Sequence, residues 1–145
     1  MIRLIDVTKT FDGATGAFTA VEGVSVEVAA GRFVGVVGPS GCGKSTLLGM
    51  IAALVPLTRG RIELNGQPVS RVPDNLGYLF QRDALLPWKT VLENVGLPLV
   101  TRRRPAGEIR ERAERWIRRV GLAGFERYYP HQLSGGMRKR VSLAT

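Results

Sequence analysis

The run Gly38-Pro39-Ser40-Gly41-Cys42-Gly43-Lys44-Ser45 constrains this chain more than any other feature. Three glycines are followed at once by a lysine and a hydroxyl, in the pattern G-x-x-x-x-G-K-[ST]. Glycines at 38, 41 and 43 keep side chains out of a loop whose backbone N–H groups can wrap a polyphosphate, and they tolerate positive φ. Before the loop, Phe33-Val34-Gly35-Val36-Val37 is apolar without alternation, which predicts a strand buried on both faces. After it, Lys44 to Leu54 is rich in good helix formers and is closed by Pro56. A helix starting at Lys44 aims its free N–H groups and positive dipole end at the anion. Lys44 can then reach the terminal phosphates, the Ser45 hydroxyl can ligate Mg2+, and Thr46 can support a phosphate contact further along. Cys42 is a small loop residue, and as the one cysteine it has no intrachain disulfide partner.

The remainder of the chain supplies a setting for that loop. With 145 residues, 44% of them hydrophobic and 23% charged, it has the balance of one ordinary globular domain. Its longest apolar run, Leu47 to Leu57, is about half of a membrane-spanning length. The N-terminal Met1 to Asp6 meets a carboxylate before any signal-like apolar stretch develops, and the expected location is cytoplasmic. Ile2, Leu4 and Val24, Val26, Val28 alternate as strands do, and Asn65-Gly66 after Arg61 to Leu64 marks a tight hairpin. Leu76 to Phe80 reads as another buried strand. Beyond Pro87 the pattern turns helical, first over Thr90 to Val95 and then over Pro105 to Val120. In the latter, Ile109, Ala113, Trp116, Ile117 and Val120 share one face, with Trp116 expected as a core anchor.

The net charge of +9 is unevenly placed: twelve of the 21 Lys and Arg residues, but only four of the 12 acidic ones, lie between Arg102 and Arg140. A solvated helix face accounts for this basicity. A surface for anionic lipid or nucleic acid is the sharper alternative.

A second motif, Leu133-Ser134-Gly135-Gly136-Met137, precedes the helix-compatible Arg138 to Ala144. A serine and two glycines opening a helix make another anion-binding N-terminus. Together the two motifs resemble the ABC ATPase family, whose Walker A segment Gly38 to Thr46 matches and whose signature is L-S-G-G-Q. Met137 departs from that glutamine, while Ser134 and Gly136, presumed to face phosphate, are intact. The segment Leu86-Pro87-Trp88-Lys89-Thr90-Val91-Leu92-Glu93-Asn94-Val95, and Met137 itself, are similar to the nitrate/sulfonate/taurine-type importers.

The resemblance implies an α/β P-loop NTPase core with an N-terminal antiparallel β subdomain and an α-helical subdomain. Residues 1–81 would hold the β subdomain and the phosphate-loop part of the core. Residues 82–145 would hold the exit from the Q-loop, the helical subdomain (roughly Arg82 to Arg140) and the signature. Phe11 would stack on adenine, Gly38 to Thr46 would hold ATP, and Gln81 would touch Mg2+ or water together with the Ser45 site. The implied partners are separate permease subunits, a second ATP-binding copy paired head to tail, and indirectly an external solute-binding protein. Nucleic acid is not expected, and the location becomes peripheral on the inner face of the membrane. The family's Asp-Glu strand and switch histidine have no candidate; His131 precedes the signature and is a loop residue. The core is therefore expected to be C-terminally incomplete, with exposed apolar strand surface and very slow hydrolysis. A non-transport ABC ATPase acting on nucleic acid, a P-loop kinase and a non-catalytic nucleotide-binding module are the competing readings. The transported solute is not encoded in these residues.

Overall fold

The computed structural model describes residues 1–14, 16–73 and 76–145. It divides into two compact units, Met1–Tyr78 and Leu79–Thr145.

The first unit is built on a sheet of order β2-β1-β3-β4, antiparallel throughout. Its strands are β1 (Ile2–Gly13), β2 (Gly16–Val28), β3 (Arg59–Leu64) and the short β4 (Gln67–Pro68), with helix α1 (Lys44–Ile51) between β2 and β3. Leu4, Val7, Val21, Met50 and Ile62 form its core. The step from Leu4 to Val7 breaks strict alternation because β1 bulges between them, with Asp6 at φ 49°. A bulge adds one residue to one strand and so moves the next inward side chain by one position. Ser25 Oγ accepts the Asp6 N–H at 2.9 Å, and Arg59 reaches the Asp6 carboxylate at 3.1 Å. Across the sheet Gly60, at φ 86°, leaves the room the bulge needs: a Cβ there would lie 2.2 Å from the Asp6 carbonyl oxygen. The Asn65-Gly66 hairpin forms as its sequence predicts, with both residues at positive φ between paired Leu64 and Gln67.

Two expected strands do not form. Neither Phe33 to Val37 nor Leu76 to Phe80 pairs with any described strand, and Phe33 and Val37 are almost wholly exposed. A strand is a property of a ladder, and an apolar run outside any ladder has β propensity but no β structure. The inner edge of this region is an apolar hollow lined in part by Leu4, Val24, Val26, Val34, Val36 and Leu47. Helix α1 also ends sooner than its composition suggests. It stops at Ile51, and Ala53 turns left-handed at φ 55°, three residues before Pro56.

The second unit packs α2 (Val91–Thr101), α3 (Ala106–Arg119) and α4 (Gly135–Ala144), with a 3-10 turn at Pro130–Gln132 before α4. Its core joins Val91, Val95, Ala113, Ile117, Leu122, Leu133, Val141 and Ala144. Gly96 lets α2 and α3 approach closely, since a Cβ there would meet Ile109 Cγ2 at 2.8 Å. Trp116 is not the expected core anchor. It stands at the margin of the α3 stripe, 46% exposed, with the Arg119 guanidinium 5.1 Å from its ring centre. At about 100° per residue, Ala113 and Ile117 take the centre of the buried face and a residue one position before Ile117 falls outside it. The arginines of the same helix are largely partnered along its surface, Arg110 with Glu114, Arg112 with Glu108 and Arg115 with Glu111. Among the described residues no helix is long and apolar enough to cross a membrane.

Candidate functional site

The glycine loop runs from Gly38 to Gly43 and delivers the chain into α1. Gly43 is the N-cap residue, at φ 90°, and no side chain caps the helix. The N–H groups of Lys44, Ser45 and Thr46 therefore have no intrahelical acceptor. Gly41 is also left-handed, at φ 84°. The two glycines differ in what surrounds them. A Cβ on Gly43 would sit 2.3 Å from the Ala20 carbonyl oxygen of β2, whereas a Cβ on Gly41 would meet nothing within 4 Å. Gly38 faces Cys42, whose Sγ would lie 2.8 Å from an added Cβ. Close approach to the β2 backbone thus requires glycine at 43, beyond the backbone angle alone, whereas at 38 the neighbour is the end of the exposed Cys42 side chain, which can turn aside.

Lys44 folds back over the loop and donates to the carbonyl oxygens of Gly38 at 2.8 Å and Pro39 at 2.6 Å, with Cys42 Sγ at 3.5 Å. Cys42 is exposed and has a free thiol. Ser45 is exposed and Thr46 half-buried, both in the first turn of α1.

One cavity unites this loop with the aromatic residue that the sequence places far from it. Its lining is Phe11, Phe18, Ala20, Gly41, Gly43, Lys44, Ser45 and Thr46. Phe11 and Phe18 are paired across β1 and β2 in the ladder that ends at Gly13 and Gly16. Lys9 holds its ammonium 4.7 Å from the centre of the Phe11 ring. Its lining combines a lysine, two hydroxyl residues and an uncapped helix terminus with two exposed aromatic rings. Its lining contains no carboxylate. That donor set fits a polyanion carried by a flat heterocycle. Phe18 was absent from the sequence-based site. It could have been found from the hairpin register, because Phe11 and Phe18 stand equally far from the Gly13 and Gly16 pair.

Ser134 is the N-cap of α4 and accepts the Met137 N–H at 3.3 Å, leaving exposed Gly135 and Gly136 at the helix entry. Leu133 is buried, and the half-buried Met137 packs against the core of its unit. Gln81 is exposed, and its backbone carbonyl accepts from the Lys139 ammonium. Asp83 receives Arg138 Nε on Oδ2 at 3.0 Å. Its Oδ1 lies 3.1 Å from Lys139 Nζ but off the direction of a hydrogen bond, so that buried oxygen has an ion-pair partner only. Lys139 first, and then Arg138, hold the Asp83 carboxyl below its ordinary range. Within the second unit the Gln81 carbonyl is thus tied to Lys139 of α4, the helix that Ser134 caps, while Arg138 ties Asp83 to the Leu133 carbonyl. His131 stacks its ring on Tyr129 at 5.8 Å between centres, in the loop before α4.

Asn94 is a further residue that sequence reasoning did not single out. It is buried, accepts the Leu86 N–H at 2.8 Å, and donates to the carbonyls of Lys89 and Thr90 at 2.9 Å each. The segment from Leu86 to Thr90 is shaped around this one amide. Thr90 then caps α2 in a reciprocal box with Glu93.

A glycine loop opening one helix, a serine-glycine entry opening another, and an antiparallel β subdomain are the elements of an ATP-binding cassette fold. The chain matches the ABC transporter family over residues 21–145 and belongs to that family. It is similar to the taurine import ATP-binding protein TauB of Burkholderia pseudomallei, 44% identical over 138 residues, covering 95% of this chain and 53% of that protein. It is also similar to the aliphatic sulfonates import ATP-binding protein SsuB of Bacillus cereus, 37% identical over 143 residues, covering 99% of this chain and 56% of that protein. The chain therefore spans about half the length of the curated relatives it matches. A solved structure, the dimeric post-hydrolysis state of the ATP-binding cassette MJ0796 bound to ADP and Pi, superposes with a TM-score of 0.88 at 34% identity, covering 99% of this chain and 68% of that one. The fold is accordingly the mixed α/β fold of ABC ATPase cassettes, with an antiparallel β subdomain and a helical unit.

Proposed function

We propose that this chain is the ATP-binding subunit of an importer of the nitrate, sulfonate or taurine type, and that it binds MgATP to energise transport through separate permease subunits. The observation that carries the reading is the cavity joining Phe11 to Gly41, Gly43, Lys44, Ser45 and Thr46. Support for the importer class comes from the names of the relatives, which are import ATP-binding proteins for taurine and for aliphatic sulfonates. The particular solute is left to proteins that would select it outside this chain.

In this reading the triphosphate lies against the free N–H groups at the start of α1, where the helix dipole favours negative charge. Lys44 leaves the Gly38 and Pro39 carbonyls for the outer phosphates, exchanging partial negative charges for a full one. Pro39, Ser40 and Cys42 supply loop backbone. The Phe11 ring, with Phe18 beside it, takes the adenine face. The Ser45 hydroxyl and the Gln81 side chain are the proposed Mg2+ contacts, and the ion would offset phosphate charge at the loop. The domain limits follow the same reading, 1–81 for the β subdomain with the phosphate loop and 82–145 for the helical part with the signature.

Leu133 to Met137 then serves a second copy. Two chains pair head to tail so that Ser134, Gly135 and Gly136 of one close over the nucleotide held by Gly38 to Thr46 of the other, which gives the outer phosphate a second set of donors. The subunit would act on the inner face of the cell membrane, with an external solute-binding protein as an indirect partner. Arg110, Arg112 and Arg115 of α3 are paired with its glutamates, which makes a nucleic-acid role the weaker reading.

The test compares ATP with inorganic tripolyphosphate by titration calorimetry on wild type and Phe11→Ala. Loss of the ring should weaken ATP by about tenfold, the size of one stacking contact, and leave tripolyphosphate unchanged. If wild type binds neither ligand, the nucleotide reading is wrong. If Phe11→Ala binds both as wild type does, the base lies elsewhere.

A further inference from the structure

Helix α4 opens with an electrostatic conflict. Its first turn has no acidic residue, and the two side chains that follow Met137 are the cations Arg138 and Lys139. Positive charge near a helix N-terminus opposes the dipole and would compete with the exposed amides of Gly135 and Gly136 for any anion. In this structure both cations are tied down beside that entry. Arg138 Nη1 donates to the Leu133 carbonyl at 2.8 Å while its Nε reaches Asp83. Lys139 spans the Asp83 carboxylate and the Gln81 carbonyl. One carboxylate, 55 residues away in sequence from Arg138, is the counter-charge that α4 lacks.

We propose that Asp83 is a positioning residue: through Arg138 and Lys139 it locks the backbone of Gln81 and the Ser134–Gly136 entry of α4 into a single rigid piece. The functional consequence rests on the reading above, in which Gln81 contacts Mg2+ and Ser134 to Gly136 engage nucleotide on a second copy. Asp83 touches neither ligand. Its effect is that a displacement at Gln81 moves the α4 entry with it, and that the cations beside the entry carry a counter-charge.

The experiment uses the full chain as wild type, Asp83→Asn, Asp83→Glu and Lys139→Met. Amide hydrogen exchange without nucleotide reads the mechanical link. Asp83→Asn should speed exchange in 82–86 and in 137–140 together, by about tenfold for the loss of one charge-assisted contact. Asp83→Glu should recover most of the protection. MgATP affinity is measured for each variant, so that self-association is compared at saturating nucleotide throughout. MgATP-driven self-association, followed by sedimentation, should weaken about tenfold in Asp83→Asn and be restored in Asp83→Glu. Unchanged exchange at 137–140, or self-association equal to wild type, overturns the proposal, as does an Asp83→Glu variant no better than Asp83→Asn. Should Asp83→Asn fail to fold, Lys139→Met decides: it must loosen 82–86 severalfold, and no change there refutes the link. A wild type that fails to associate with MgATP removes the pairing reading, while the exchange data still judge the Asp83 link.

Discussion

The Lys44 ammonium lies 2.6 Å from the carbonyl oxygen of Pro39, so the cation of the phosphate loop is held by the loop's own backbone. Such a lysine is preorganised near the place where phosphate would sit, and it needs only a short excursion to exchange a carbonyl for an anionic oxygen. Charge-assisted contacts of that kind are about twice as strong as neutral ones. Lys44→Ala should therefore lower MgATP affinity by at least about tenfold, measured by calorimetry. The thermal midpoint should hardly move, because the contacts that are lost lie in an exposed loop. Wild-type affinity in this variant would remove the loop from nucleotide binding.

Gly41 and Gly43 share a left-handed backbone but not a neighbourhood, and substitution should separate the two effects. Alanine at Gly41 has open space and bears only the cost of its φ, about 1–2 kcal/mol. Alanine at Gly43 adds a clash with the Ala20 backbone at 2.3 Å, which forces the loop and β2 apart. The expected loss there is about 3 kcal/mol or more, read from the denaturant midpoint. Equal losses at the two positions would mean that the Gly43 to Ala20 approach is not a constraint on the fold.

The local devices were legible in sequence because each rests on interactions within a few residues. The loop glycines, the Asn65-Gly66 hairpin and the Ser134 cap belong to that group. The segments 33–37 and 76–80 were misread as strands for the complementary reason. Their apolar runs carry β propensity, but strand structure depends on a ladder partner that propensity does not name. Trp116 was misplaced because its stripe was read as wide enough to bury both edges. The Asp83 contacts left no trace in sequence, since a counter-charge 55 residues from Arg138 has no periodic or spacing signal. The link between Phe11 and the glycine loop came from family resemblance; the two line one cavity, and the ladder between β1 and β2 adds Phe18 to it.

Asn94 organises the turn that leads into α2, and its partners are backbone groups with few alternatives. Replacing it with alanine leaves the Leu86 N–H and the Lys89 carbonyl without their partner in a part-buried position. The cost should be about 2–3 kcal/mol by denaturant titration. Exchange at the Leu86 amide should rise more than at any amide of α3. A loss below the error of the titration would mean that water replaces the side chain without penalty.

Thr90 and Glu93 cap α2 reciprocally, and their coupling gives the helix a pH dependence of defined sign. The Glu93 carboxylate accepts from the Thr90 backbone N–H at 2.7 Å and from its hydroxyl at 2.8 Å. These bonds, the backbone one first, hold the Glu93 carboxyl below its ordinary value of 4.5. A folded-state value below the unfolded one means that the unfolded chain binds the proton more readily. The stabilisation is therefore complete above about pH 4.5 and is lost as pH falls through the lower folded value. Glu93→Gln keeps an acceptor but cannot titrate. The stability difference between wild type and Glu93→Gln should be constant near neutrality and should shrink as pH falls below 4.5. Thr90→Ala should cost about 1 kcal/mol at neutral pH, the usual loss for an N-cap hydroxyl. Because that substitution also removes the hydroxyl that helps to depress the Glu93 carboxyl, its remaining acid dependence should be smaller and should be complete at higher pH than in wild type. Denaturant titrations from pH 3 to pH 7 would follow both variants, and an acid limb that is identical in wild type and Glu93→Gln would show that the box carries no linked proton.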